Sequence, residues 1–179
     1  DVYLDCEHKD GRVYLWGATL TTPDEPDGTY HPFANWDDDL DEAGEEALAR
    51  ELADWLTDTV ATAGKAGRSV TVYHYGPTEP THLRRILPDD DRVAELDDLF
   101  VDLLAVVRDH YDGVGSKSLK TVGAAFGAVW RTEGATGADT LHWVDDARNG
   151  DTDAQDRLVA YNEDDTQALR ALRNGLRDT

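Results

Sequence analysis

The chain has 179 residues and a net charge of −21, from 38 acidic and 17 basic side chains. That length is about one domain with a core of its own, and a 40% hydrophobic content with five Trp and seven Tyr excludes a disordered chain. One cysteine excludes a disulfide framework and a cysteine-based zinc site, which fits a reducing, cytoplasmic compartment, and no apolar run is long enough for a membrane span.

Val2-Tyr3-Leu4-Asp5-Cys6-Glu7 reads as a short β-strand, apolar except for two carboxylates at alternate positions. Alternation puts Asp5 and Glu7 on one face and Val2, Leu4 and Cys6 on the other. After a turn at Gly11, Arg12–Ala18 reads as a hairpin partner. A loop with Pro23, Pro26 and Gly28 leads to a third strand, Tyr30–Trp36, which Pro32 assigns to a sheet edge. Leu40–Ala63 reads as a helix with Leu48, Leu52, Trp55, Leu56 and Val60 on one stripe, ended by Gly64 and Gly67. Ser69–Tyr75 is the next strand, Gly76-Pro77 breaks it, and a helix starts near Thr78. After Pro88 and the acidic run Asp89–Asp91, Leu96–Tyr111 is either a buried helix or a strand followed by a helix, with Gly113 and Gly115 after it. Helices follow over Leu119–Phe126, Ala138–Ala147 and Thr152–Leu176. The expected fold is α/β in order β-β-β-α-β and then helices, with a mixed sheet that is antiparallel first and parallel after the crossover helix.

Carboxylates are costly in a half-buried strand unless they are paired or bound to a metal, so Asp5 and Glu7 are metal-ligand candidates; the competing reading is a solvated face. In the last helix, Tyr161 and Asp165 are four residues apart and share a face, which suits a metal-held water beside a phenol or equally a half-buried Tyr on an amphipathic helix. Glu79 falls in the first turn of the helix after Tyr75, where the helix dipole alone favours an acid. Gly113–Ser118 is not a phosphate loop, because Ser116 stands where Gly must precede the Lys. Asp37–Glu42 is not a calcium loop, because its sixth position is Glu42 and not Gly.

Together these elements resemble the DEDD (DnaQ-like) exonuclease superfamily on the ribonuclease H-like fold. Asp5-Cys6-Glu7 matches its first motif, and Tyr161 with Asp165 matches the Tyr variant of its third. The resemblance is closer to the ribonuclease H-like domain of predicted RecB-family nucleases, carried by His74-Tyr75-Gly76-Pro77-Thr78-Glu79, Phe100-Val101-Asp102-Leu103, Ser118-Leu119-Lys120 and Tyr161–Asp165. Glu79 departs from the Asp usual in the second motif, although Glu also ligates Mg²⁺ or Mn²⁺ through oxygen.

The resemblance implies a 3′–5′ exonuclease with two divalent ions, Mg²⁺ or Mn²⁺, held by Asp5, Glu7, Glu79 and Asp165, with Tyr161 beside the attacking water. It implies a nucleic-acid substrate, with a single-stranded 3′ end, and a neighbouring nuclease or helicase domain. Residues 1–179 are expected to form one domain cut from a longer chain. Asp102 has a supporting role or is a capped acid, His74 touches the site or is a satisfied core histidine, and Lys120 contacts phosphate or is solvated. The dispersed acidic charge resembles proteins of salt-accumulating halophiles, and with the nuclease resemblance it points to a haloarchaeal source. Two alternatives stay open: a non-catalytic ribonuclease H-like module that binds nucleic acid or braces a multidomain nuclease, and an unrelated acidic α/β binding domain.

Overall fold

The computed structural model describes residues 1–37, 40–110, 116–132 and 134–177. Among them the elements run β1 (Val2–Lys9), β2 (Arg12–Leu20), β3 (Thr29–Ala34), α1 (Glu42–Lys65), β4 (Val72–His74), α2 (Thr78–Ile86), α3 (Asp91–Asp97), β5 (Phe100–Asp102), α4 (Leu103–His110), α5 (Leu119–Ala125), α6 (Gly137–Arg148) and α7 (Thr152–Arg177). The strands form one mixed sheet in the order β3-β2-β1-β4-β5. β1–β2 and β2–β3 pair antiparallel, while β1–β4 and β4–β5 pair parallel. β3 is the edge that Pro32 requires.

β1 lies at the centre, and helices cover both faces of the sheet. Val2, Leu4 and Cys6 pack with Leu48, Leu52 and Leu56 of α1. Tyr3 points the other way, into a cluster with Val122, Leu169 and Leu172 from α5 and α7. The face that carries Asp5 and Glu7 is therefore roofed by α7, and the solvated-face alternative is set aside. A register shift after Glu7 gives β2 one extra residue opposite β1. That irregularity brings Val13 onto the same face as Trp16 and Ala18 and sends Tyr14 and Leu15 to the other.

Four sequence expectations change. The strand expected over Ser69–Tyr75 shortens to Val72–His74, because β1 and β5 pair with it only there. The stretch after Pro88 resolves as a strand followed by a helix, so the sheet gains β5 where helices alone were expected. α3 was not anticipated; Asp90 caps it, its carboxylate accepting from the Arg92 amide. Gly64 is inside α1, and the chain turns only at Gly67, with φ 67°. The end of the stretch read to Tyr111, Gly113 and Gly115, and parts of the two rejected loop motifs lie outside the described residues.

Candidate active site

α7 lays Leu158, Tyr161, Asn162, Asp165, Thr166, Leu169 and Leu172 on the sheet, a stripe at three- and four-residue spacing. Its middle is polar, and that polar part sits over Asp5 and Glu7. One carboxylate oxygen from each of Asp5, Glu7 and Asp165 lies within 4.8 Å of the other two. β1 supplies two of them because strand neighbours two apart share a face, and α7 supplies the third from above.

The cluster is held by side chains that the motifs alone did not single out. Asn162 is fully buried and its Nδ2 donates to Asp5 Oδ2 at 2.8 Å. Its Oδ1 accepts from the Tyr30 hydroxyl at 2.8 Å, which fixes the orientation of the amide. Gly17 pairs with Asp5 across β1–β2, and a Cβ there would come 1.6 Å from Asn162 Oδ1. Trp130, in the loop before α6, donates from Nε1 to Asp165 Oδ1 at 2.6 Å. One residue on, Arg131 grips α7 through Asp164 at 2.7 Å and Glu163 at 2.7 Å. Asn162 was visible inside the Y-N-x-x-D segment, and a glycine mid-strand is a signal of close approach. Nothing in the sequence pointed to Trp130.

Tyr161 stands one turn before Asp165 on the same face, buried and edge-on to Trp143 with ring centroids 6.2 Å apart. The Lys120 ammonium lies 4.4 Å from the Tyr161 ring centroid and 5.9 Å from that of Trp130, and it donates to the Ala135 carbonyl. Lys120 is thus neither free in solvent nor isolated: it is the cation at the edge of the acidic cluster. Ser118 caps α5 two residues earlier, its hydroxyl accepting from the Thr121 amide.

Glu79 is set apart from the other three carboxylates. It is buried in the first turn of α2, with Oε1 3.9 Å from Cys6 Sγ and Oε2 3.6 Å from His74 Nδ1. Oε2 accepts no hydrogen bond, the histidine being too distant for one. His74 Nδ1 donates instead to the Gly76 carbonyl at 2.6 Å, so His74 is both satisfied and adjacent to the site. Cys6 turns away from Asp5 and Glu7 as expected, yet it was expected to face away from the acids altogether and it touches Glu79. Asp102 is a cap: its carboxylate accepts from the amides of Gly76 and Leu104, each at 2.8 Å, tying the end of β4 to the start of α4.

Burial and mutual repulsion shape the titration of the cluster. Burial first, then the charges of Asp165, Glu7 and Glu79, push Asp5 well above the usual carboxylate range. Glu7 is raised to about 8, chiefly by burial and Asp165, with Thr140 and Lys120 pulling the other way. Asp165 rises to about 6 through burial, against the Trp130 hydrogen bond and Lys120. Burial also raises Glu79, partly offset by His74. The Tyr161 phenol is pushed up by burial and then by Asp165, Glu7 and Asp5. Converging carboxylates that offer oxygen atoms only are, once ionised, the donor set that a hard divalent cation such as Mg²⁺ or Mn²⁺ prefers, and Glu79 Oε2 is a further buried oxygen without a hydrogen-bond donor.

A five-stranded mixed sheet in the order 3-2-1-4-5, helices on both faces and acids gathered from the central strand and the last helix define a ribonuclease H-like α/β domain. Comparison with family models agrees: residues 2–177 match the model of the RNase_H superfamily, and the chain belongs to that superfamily. Searches of curated proteins and of solved structures return no significant match. Membership points to a nuclease-like function on nucleic acid, with divalent metal as the usual cofactor of such enzymes. No helix among the described residues is long and apolar enough to cross a membrane.

Proposed function

We propose that the chain is a metal-dependent 3′–5′ exonuclease of the DEDD (DnaQ-like) type, in its Tyr variant and close to the RecB-family ribonuclease H-like domains. The observation that carries this reading is the meeting of Asp5, Glu7 and Asp165, one oxygen of each within 4.8 Å of the other two, with Tyr161 one turn away on the same helix face. Asp5, Glu7 and Asp165 would hold the divalent ions, and Glu79 would join them by swinging from His74. Two such ions would activate a water and stabilise the leaving 3′-oxygen of an in-line phosphodiester hydrolysis.

The chain's own residues do the rest. Asn162 fixes one oxygen of Asp5 and Trp130 one of Asp165, which leaves the other oxygen of each carboxylate outside those two hydrogen bonds. Tyr161, kept protonated by its surroundings, donates its O–H to the attacking water or to a phosphate oxygen. Lys120, partly neutralising Glu7 and Asp165, offers a positive charge to the phosphate. The acidic surface and a haloarchaeal source belong to the same proposal, in which metals and close contacts outweigh long-range steering.

The test is hydrolysis of single-stranded oligonucleotides with Mn²⁺ across a range of salt. A 3′-labelled strand should release labelled mononucleotide at once, while a 5′-labelled strand should shorten in a ladder. If the wild type degrades neither strand faster than the Asp5→Ala, Asp165→Ala double variant, the enzyme reading fails. One observation favours a second reading. Glu79 is engaged with His74 and Cys6 outside the triad, which suits a non-catalytic module that binds nucleic acid or braces a neighbouring nuclease or helicase domain. That reading requires no Mn²⁺ binding that depends on Asp5.

A further inference from the structure

A groove of about 950 Å³ lies at the other end of β1, walled by the last turns of α1, the residues after β2 and the last turns of α7. β1 links it to the carboxylates, with Asp1 and Tyr3 bordering the groove while Asp5 and Glu7 carry the cluster. α7 does the same, since Asp165 is at the cluster and Arg170, Arg173 and Arg177 line the groove. With a rise of about 1.5 Å per residue, Arg173 is ~12 Å along the helix from Asp165. The two places are distinct.

The charge of the groove runs against that of the molecule. Four arginines line it against two aspartates, Asp1 and Asp58, in a chain with 38 acids and 17 bases. Two of the four are anchored: Arg170 donates to the Pro26 carbonyl at 2.8 Å and pairs with Asp27, and Arg173 pairs with Asp1 at 2.7 Å. The other two, Arg68 and Arg177, are exposed and make no ion pair among the described residues. Arg170, Arg173 and Arg177 follow one helical stripe over ~10 Å, a line of cations and not a single cradle. Beside them Trp55, braced by His31 at 4.9 Å and Phe33 at 5.8 Å between ring centroids, provides a rigid aromatic wall. A row of guanidinium groups next to an aromatic ring suits a flexible phosphate-bearing strand, with phosphates on the arginines and a base against the ring.

We infer that this groove binds the phosphodiester backbone of a single-stranded nucleic acid, apart from the carboxylate cluster. The inference rests on the nuclease reading only for the choice of polymer, and it needs no metal. It is tested by fluorescence anisotropy of a labelled single-stranded oligonucleotide on the full chain with divalent ions chelated. The Arg68→Ala, Arg177→Ala double variant should bind about ten-fold more weakly at low salt. The slope of log affinity against log salt should flatten by about 1.4, or ~0.7 for each phosphate that an arginine no longer neutralises. Lysine at both positions should restore most of the affinity. Arg68→Glu, in an exposed turn, provides a second variant should the double variant unfold, and it should weaken binding at least as much. Unchanged affinity and slope in these variants would overturn the proposal. Displacement of the oligonucleotide by inorganic phosphate or a mononucleotide at equal concentration would also overturn it, by showing a compact anion site. Because metal is chelated throughout, failure here leaves the hydrolysis reading standing, and absence of hydrolysis leaves this one standing.

Discussion

Asp5, Glu7 and Asp165 make the metal-free fold hold protons that the unfolded chain would have released. Their raised values mean that the stabilising contribution is complete below the unfolded carboxylate range and is lost as pH rises, through about 6 for Asp165 and about 8 for Glu7. With metal chelated, the denaturant midpoint should fall between pH 5.5 and pH 8.5, and Mn²⁺ should recover it by binding the ionised form. Glu7→Gln should remove part of that fall, roughly 1–3 kcal/mol at the alkaline end, while weakening Mn²⁺ binding. An equal fall in wild type and variant would sink the electrostatic account. Gly17 is the second decisive residue. Its Cβ in Gly17→Ala would press on Asn162 Oδ1, so the amide must leave Asp5. The expected cost is about 1–3 kcal/mol of stability, with weaker Mn²⁺ binding measured by titration. A variant that keeps both would show that Asn162 does not hold Asp5. The candidate site was legible at Asp5, Glu7, Tyr161 and Asp165, because strand and helix periodicities state which side chains share a face. Trp130 was not, because a loop residue reaches Asp165 by a path that no periodicity encodes.

Among the elements, α1, α2 and β2 are joined by one buried acid. Glu45 is almost fully buried and accepts from the Val13 amide at 2.8 Å, from Arg12 at 3.2 Å and from Arg85. Burial pushes its carboxyl up, yet the hydrogen bonds from Arg85, Val13 and Arg12 outweigh burial and hold it below the usual value. Its contribution therefore has the opposite sign from that of the cluster: present above the ordinary carboxylate range, and lost as pH falls through the lowered folded value. Glu45→Ala should cost about 1–3 kcal/mol, since the buried Val13 amide loses its acceptor while Arg12 and Arg85, partly exposed, turn to water. Denaturant unfolding at neutral pH measures it, and a loss under about 1 kcal/mol would mean the three elements do not depend on this brace. The long helices α1 and α7 were readable from their apolar stripes. β4 was readable as a strand but not in its length, β5 was left between strand and helix, and α3 was not seen, because elements of three to seven residues contain too little period to separate a strand from a helix. Their identity is set by the neighbours that pair with them.

Across the whole molecule, 38 acids stand against 17 bases, and apart from a few buried ones such as Glu45 and Glu79 the acids repel one another at or near the surface. Screening shortens from ~10 Å at 0.1 M salt to ~3 Å at 1 M, so the thermal midpoint should climb by several degrees from 0.1 to 2 M KCl. A flat profile in scanning calorimetry would mean that the existing ion pairs already balance the charge. The sequence alone determined the α/β class, the mixed sheet with an edge strand containing Pro32, and a carboxylate pair on the first strand matched by an acid on the last helix. These follow from local rules: alternation along a strand, the helical repeat, and the preference of proline for an edge. Only the tertiary structure decided which acids meet. Asp165 comes from 160 residues away to join Asp5, whereas Glu79, which the motif order groups with them, faces His74 and Cys6 instead. The physical reason is that a side chain's partners depend on how α2 and α7 pack across the sheet. That packing is fixed jointly by Asn162 over Gly17, Thr166 against Thr19 at 2.7 Å, and the loop that brings Trp130 to Asp165.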